Sequence, residues 1–135
     1  MIYGELTHKI IGCAMKVHST LGNGFQEWIY QKAFAIELKA NGIPFEREKV
    51  MTIYYRGIRL GRRRVDFFVQ KTIIVELKAV IKLQDVHLNQ AMNYLEAYQM
   101  YIGLLINFGG RSLEFKRVHN NKLDLDSLDL RDGHD

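Results

Sequence analysis

The order of segments in this chain predicts an α/β fold, a mixed β-sheet flanked by helices in the order α-α-β-β-β-α-β-β. Three observations carry the prediction. Three segments space their apolar residues at the helical period. Five others are short, rich in β-branched and aromatic residues, and bounded by glycine or polar turns. The third helical segment falls between the third and fourth strands, which allows a right-handed parallel crossover within a mixed sheet.

The elements follow in order. From Glu5 to Ser19, the residues Leu6, Ile10, Cys13, Ala14 and Val17 share one helical stripe. Leu21-Gly-Asn-Gly24 stops that helix, because glycine supplies the backbone freedom a helix exit needs. Asn23 and Gln26 have capping-box spacing, so a second helix is expected from near Gly24, through FQEWIYQKAFAIELKANG, to near Gly42, with Pro44 just beyond. FEREKVMTIYYRG and IRLGRRRVDFFVQ read as two strands broken at Gly57, and KTIIVELKAVI reads as a third. A helix is expected from about Leu83 to Tyr98, then the short apolar strand MYIGLLINF and an edge strand in SLEFKRV. These place one domain over residues 1–119. The remainder, NNKLDLDSLDLRDGHD at 120–135, alternates Leu and Asp without a clear period and reads as a flexible acidic tail.

Composition narrows the function classes. A length of 135 residues fits a single core, and 47% apolar with 25% charged residues argues against wholesale disorder. The net charge of +4 permits an anionic partner without demanding one. A lone cysteine, Cys13, excludes an internal disulfide, and no Cys/His spacing suggests zinc. No apolar run approaches the roughly 20 residues of a membrane-spanning helix and no signal peptide opens the chain, so the expected location is a reducing cytoplasm, away from membranes.

The stretch VDFFVQKTIIVELKAV carries Asp66, Glu76 and Lys78 within segments otherwise suited to a core. Alternation along a strand turns Glu76 and Lys78 one way and Val75, Leu77 and Ala79 the other. If Gln70-Lys71-Thr72 forms a three-residue hairpin loop, Asp66 lies opposite Glu76. Two carboxylates so paired, with Cβ atoms about 5 Å apart, ordinarily destabilise a sheet. A hard divalent cation would relieve them, since Mg²⁺ takes one or two carboxylates along with waters and phosphate oxygens. Lys78, one pleat further on, is placed to contact a phosphate. Charges alone leave a second reading open, a salt-bridge cluster in which Arg64 and Lys78 neutralise Asp66 and Glu76. The apolar run from Ile73 to Ile81 marks this strand as covered and favours a cleft.

Other residues are weaker alone. His87, Gln90 and Tyr94 share a polar helical stripe that could meet phosphate, base or metal-bound water, or could be the wet side of an amphipathic helix. Glu27 and Tyr30 lie near the start of the second helix, where a carboxylate also gains from the helix dipole. RGIRLGRRR puts Arg56, Arg59, Arg62, Arg63 and Arg64 within nine residues. That segment reads as a nucleic-acid backbone patch or as an edge strand protected by charge.

Together these residues resemble a known family. Asp66 followed by Glu76-Leu-Lys78 is similar to the D…(D/E)xK signature of the PD-(D/E)XK nuclease superfamily, with Val65 where the superfamily's name has proline. The helix-strand-strand-strand-helix-strand order resembles its core. Gln90-Ala-Met-Asn-Tyr94 resembles the QxxxY motif of its RecB-like branch, and Gly24-Phe-Gln-Glu27-Trp-Ile-Tyr30 is similar to the motif that names the GxxExxY family. VHSTLGNG, VELKAV, HLNQAMNYL and GLLINFG look like further blocks of that family, and the resemblance spans roughly Leu6 to Val118.

The resemblance implies a PD-(D/E)XK nuclease-like core and hydrolysis of phosphodiester bonds in DNA or RNA. It implies Asp66 and Glu76 as metal-binding acids, Lys78 as catalytic lysine, Glu27 as an acid supplied by the preceding helix, and Gln90 and Tyr94 in support of site or substrate. Mg²⁺ or Mn²⁺ would be the cofactor, with the Leu77 carbonyl as a further ligand. Tyr30 and His87 join the arginines as candidate nucleic-acid contacts. Two rival readings keep the fold without the reaction, a module that binds nucleic acid or a protein without cutting and a structural subunit. A chain this short has to take any specificity from loops, a homodimer or a partner protein.

Overall fold

The structure is a computed structural model, and it describes residues 3–123. The expected tail therefore lies, from residue 124 onward, outside the described residues. The element order is the expected one: α1 (Gly4–Leu21), α2 (Glu27–Ala40), β1 (Phe45–Tyr55), β2 (Ile58–Val69), β3 (Ile73–Lys78), α3 (Asp85–Tyr98), β4 (Ile102–Asn107) and β5 (Glu114–His119).

The five strands form one sheet in sequence order. All neighbours are antiparallel except β3 and β4, which run parallel with α3 as their crossover. Alternation on β3 divides the core. Ile73, Val75 and Leu77 face the α1/α2 layer with Ile10, Ala14, Phe34 and Leu38. Ile74 faces α3 with Ala91 and Leu95. Each such side chain, fully buried, contributes about 1.5–3 kcal/mol of apolar transfer free energy. Helix α3 comes close to the sheet because β4 carries Gly103, where a Cβ would sit 3.1 Å from the Leu95 side chain and from the Ile74 carbonyl.

The start of α2 differs from expectation. Asn23 and Gln26 form no capping box: Gln26 is itself the N-cap, with no side-chain cap bond, and the helix begins at Glu27. The Asn23 amide instead donates to the Gly109 carbonyl at 3.4 Å, and the Gln26 side chain accepts from the Trp28 indole at 2.7 Å. Other partners displace the local motif here.

The β2–β3 hairpin holds the expected register. Val69 pairs with Ile73, Phe68 with Ile74 and Phe67 with Val75, which leaves Gln70-Lys71-Thr72 as the loop. Gln70 and Lys71 take left-handed backbone angles, φ 49° and 56°, and the Thr72 N–H and hydroxyl both donate to the Val69 carbonyl.

One step beyond Phe67 the sheet opens. The β2–β3 ladder ends there, and the β1–β2 ladder skips the Glu48/Asp66 position while keeping its register on either side. Glu48 sits at φ 51°, a left-handed angle that turns β1 at this point. Val65 packs in the α3 cluster whereas Phe67, two residues on, packs in the α1/α2 core. Residues two apart on a regular strand share a face, so β2 rotates at Asp66. That rotation sets Asp66 at the mouth of a fork between β2 and β3.

Candidate active site

Leu77 would normally donate its N–H to β2. Where β2 has left the ladder, the Asp66 carboxylate takes its place, and Oδ2 accepts the Leu77 N–H at 2.7 Å. The Lys78 carbonyl, on the opposite edge of β3, accepts from Phe108 N at 2.8 Å. By strand alternation the Leu77 carbonyl points with its own N–H toward the fork.

The other Asp66 oxygen, Oδ1, accepts from the Gln31 side-chain amide at 3.1 Å. Gln31 lies one helical turn after Glu27, so both side chains reach the same side of α2. Asp66 is thereby held from two directions, by a strand and by a helix.

Glu76 closes the pair. Burial first, and the Asp66 charge second, push its carboxyl up to about 9. Burial also raises Asp66, opposed by the Leu77 N–H, the Glu76 carboxyl and the Lys78 charge. Glu27 is raised by burial and then by the Asp66 charge, with Lys78 pulling the other way. The three acids and the lysine thus share one electrostatic neighbourhood. Glu76 Oε1 is buried and has no hydrogen-bond partner. No ion pair closes on Asp66 or Glu76 among the described residues; Arg64 lies instead 3.8 Å from exposed Glu48. The salt-bridge reading of these charges is not realised.

The loop leaving β3 is fixed by a buried asparagine. Asn107 Oδ1 accepts from the N–H groups of Val80 and Gly109, and its amide donates to the Val80 carbonyl and to Glu114. Glu114 accepts from Leu83 N at 3.0 Å, tying β5 to the approach of α3. Gly109 packs so tightly on Ala79 and Val80 that a Cβ would collide with their backbone. Lys78 is therefore followed by a rigid exit.

Comparison with known proteins bears on the fold and the family. A sequence profile of the PD-(D/E)XK nuclease superfamily matches residues 4–118. The chain belongs to the PD-(D/E)XK nuclease superfamily. Among solved structures, the crystal structure of SSO0001 aligns with a TM-score of 0.57 at 19% identity, a likeness of fold. The alignment covers 93% of this chain and 63% of that one, so this chain spans less than two thirds of that protein's length. No curated protein matches it.

In this superfamily member the remaining expected residues divide. Tyr94 is near enough to feel the charges of Glu76 and Asp66, and its ring carries the Arg63 guanidinium at 4.8 Å. Gln90 is exposed one turn before it. His87 is engaged at the start of α3, where Nδ1 accepts from Gln84 N at 3.0 Å in a capping box. Tyr30 is a correction. Its side chain is fully buried, its ring stacks on Phe108 at 4.8 Å, and its hydroxyl donates to the Gly22 carbonyl and accepts from Phe25 N. It pins the α1–α2 connection and cannot reach a nucleic-acid strand.

Two residues of the candidate site escaped the sequence reading. Gln31 follows Glu27 at i+4, a spacing that could have suggested it. Asn107 ends an otherwise apolar run, which is the one sign of its role.

Proposed function

We propose that this superfamily member is a divalent-metal-dependent nuclease that hydrolyses phosphodiester bonds of DNA or RNA, and that within the superfamily it belongs with the GxxExxY group of the RecB-like branch. The observation that carries the reading is the Asp66–Glu76 carboxyl pair, half-buried at the fork of β2 and β3 beside Lys78 and Glu27.

The donor set fits a hard cation. Two like charges pressed together in a partly dry cleft are costly unless a positive charge joins them, and the orphaned Glu76 Oε1 is an acceptor without a donor. Among the described residues no group of three or more His, Cys, Asp or Glu side chains is placed to hold a metal ion by itself. An open site completed by water, backbone carbonyl and phosphate suits Mg²⁺ or Mn²⁺ better than zinc. Asp66, Glu76 and the Leu77 carbonyl would hold the ion, with Glu27 beside them. When bound, such an ion polarises the phosphate and lowers the pKa of coordinated water.

The chain's own groups supply the rest. Lys78 stands where negative charge develops on the phosphate, and a fixed ammonium stabilises that charge most in a partly desolvated cleft. Gln31 orients Asp66. Tyr94 borders the pair from α3, Gln90, one turn before it, would meet the substrate, and the arginines of β2 hold the substrate backbone. No covalent intermediate is required.

The test is a cleavage panel of single-stranded, duplex and branched DNA and RNA in Mg²⁺ and in Mn²⁺. Cleavage that chelation abolishes supports the reading. Tight binding without cleavage of any substrate would make the protein a non-catalytic nucleic-acid module.

A further inference from the structure

The β1–β2 hairpin runs past the body of the protein as an arm, and its two faces differ. The pairing sets Tyr55 opposite Ile58 and, one step on, Tyr54 opposite Arg59, so these pairs lie on opposite faces. Toward the body, Thr52 pairs with Arg62 and Val50 with Arg64. The register shifts between Ile53 and Tyr54, and Leu60 is the extra residue of that bulge. The arm turns at Arg56 and Gly57, with φ 51° and 79°, as a tight hairpin requires.

The tip is apolar in an unusual place. Tyr54, Tyr55, Ile58 and Leu60 are each 63–68% exposed, and none belongs to either core cluster. From Val50 to Arg64 the arm holds five arginines and no acidic residue. Arg56, Arg59 and Arg62 make no ion pair among the described residues. A charge field of one sign along the whole arm matches a polyanion. Phosphate contacts, however, need only the arginines. Exposed tyrosines beside exposed aliphatic side chains suit flat apolar surfaces, which nucleic acids offer where bases are unpaired.

We infer that the arm is a base-stacking platform and that the substrate carries unpaired nucleotides about 25 Å from the carboxylate pair, the span of β2 from Ile58 to Asp66 at about 3.3 Å per residue. The arginines follow the backbone while Tyr55 with Ile58 on one face of the arm, and Tyr54 on the other, take up base faces. This rests on the nuclease reading and names its substrate class, single-stranded or junction nucleic acid in preference to continuous duplex.

Binding of the full chain to labelled single-stranded, duplex and single-strand/duplex junction oligonucleotides of equal length, read by fluorescence anisotropy, tests it. The wild type should favour the two substrates with unpaired bases. Tyr54→Ser with Tyr55→Ser should weaken single-strand binding by about tenfold for each base that no longer stacks. Duplex binding and the salt slope should stay as in the wild type, and Tyr54→Phe with Tyr55→Phe should restore single-strand affinity. Single-strand binding unchanged in the serine variant would overturn the inference while leaving the nuclease reading intact. A wild type that binds no oligonucleotide would sink both. A wild-type dimer that the serine substitutions dissociate, with single-strand affinity kept, would show the apolar tip to be a contact between copies and would also overturn it.

Discussion

Asp66 Oδ2 accepts the backbone N–H of Leu77 at 2.7 Å, so the carboxylate replaces a missing rung of the β2–β3 ladder. One side chain therefore does two jobs, one structural and one chemical, and they can be separated. Asp66→Asn keeps an acceptor for Leu77 but offers a neutral, poorer ligand to a hard cation. Asp66→Ala also strands the Leu77 N–H, which costs about 1–3 kcal/mol. Chemical denaturation should find the alanine variant less stable than the asparagine variant by that amount. Calorimetry should find weakened Mn²⁺ binding in both.

Glu76 predicts a pH dependence. Its folded-state pKa is raised from 4.5 to about 9, so between those values the folded protein binds more protons than the unfolded chain. Stability of the metal-free protein is then greatest at low pH within that window and falls as pH rises, by at most about 1.4 kcal/mol per pH unit for one proton. Asp66, also raised, acts in the same direction. Thermal melts in a chelator should show this decline. Glu76→Gln should remove most of it, and saturating Mn²⁺ should flatten it by favouring the charged carboxylates. A metal-free melt that rises from pH 6 to 8 would contradict the assignment.

Lys78→Ala separates chemistry from folding. With no ion pair to break among the described residues, the variant should melt near the wild type and still bind metal. Cleavage should fall by a factor of about 10²–10³, the effect of removing one preorganised group that stabilises the transition state.

The arginines should act by charge alone. Arg59 and Arg62 are exposed, whereas Arg63 is committed to Tyr94, so the clean double variant is Arg59→Gln with Arg62→Gln. Each phosphate left without its arginine should reduce the log–log salt slope by about 0.7 on single strands or about 0.9 on duplex. Binding titrations from low to moderate salt measure it. An unaltered slope would reassign these residues to protection of the sheet edge.

Asn107→Leu keeps the branched shape, with a somewhat larger side chain, and discards four hydrogen bonds. It leaves the Val80 N–H and carbonyl unpaired in a half-buried place, so a destabilisation of about 1–3 kcal/mol is expected. Because this network sets the exit of β3 just beyond Lys78, cleavage at a temperature where the variant is folded should fall as well.

What the chain determined by itself was local and periodic. The element order follows from apolar spacing, and the Asp66–Glu76 register follows from counting back across a three-residue loop. The common side of Glu76 and Lys78 follows from the pleat. None of these needs a distant partner. The tertiary structure decided everything that depends on an interruption of those periods. The sheet forks at Asp66 because Glu48, on the neighbouring strand, turns to a left-handed angle, so that Val65 and Phe67 serve different cores. Tyr30 left the candidate site because Phe108, far along the chain, gave its ring a buried surface to stack on. Gln31 joined the site because α2 lies across the fork, and Asn107 gained its role only once β4 and the loop after β3 were side by side. Periodicity records which way a side chain points within its own element, whereas its partner is set by packing between elements, which no local spacing encodes.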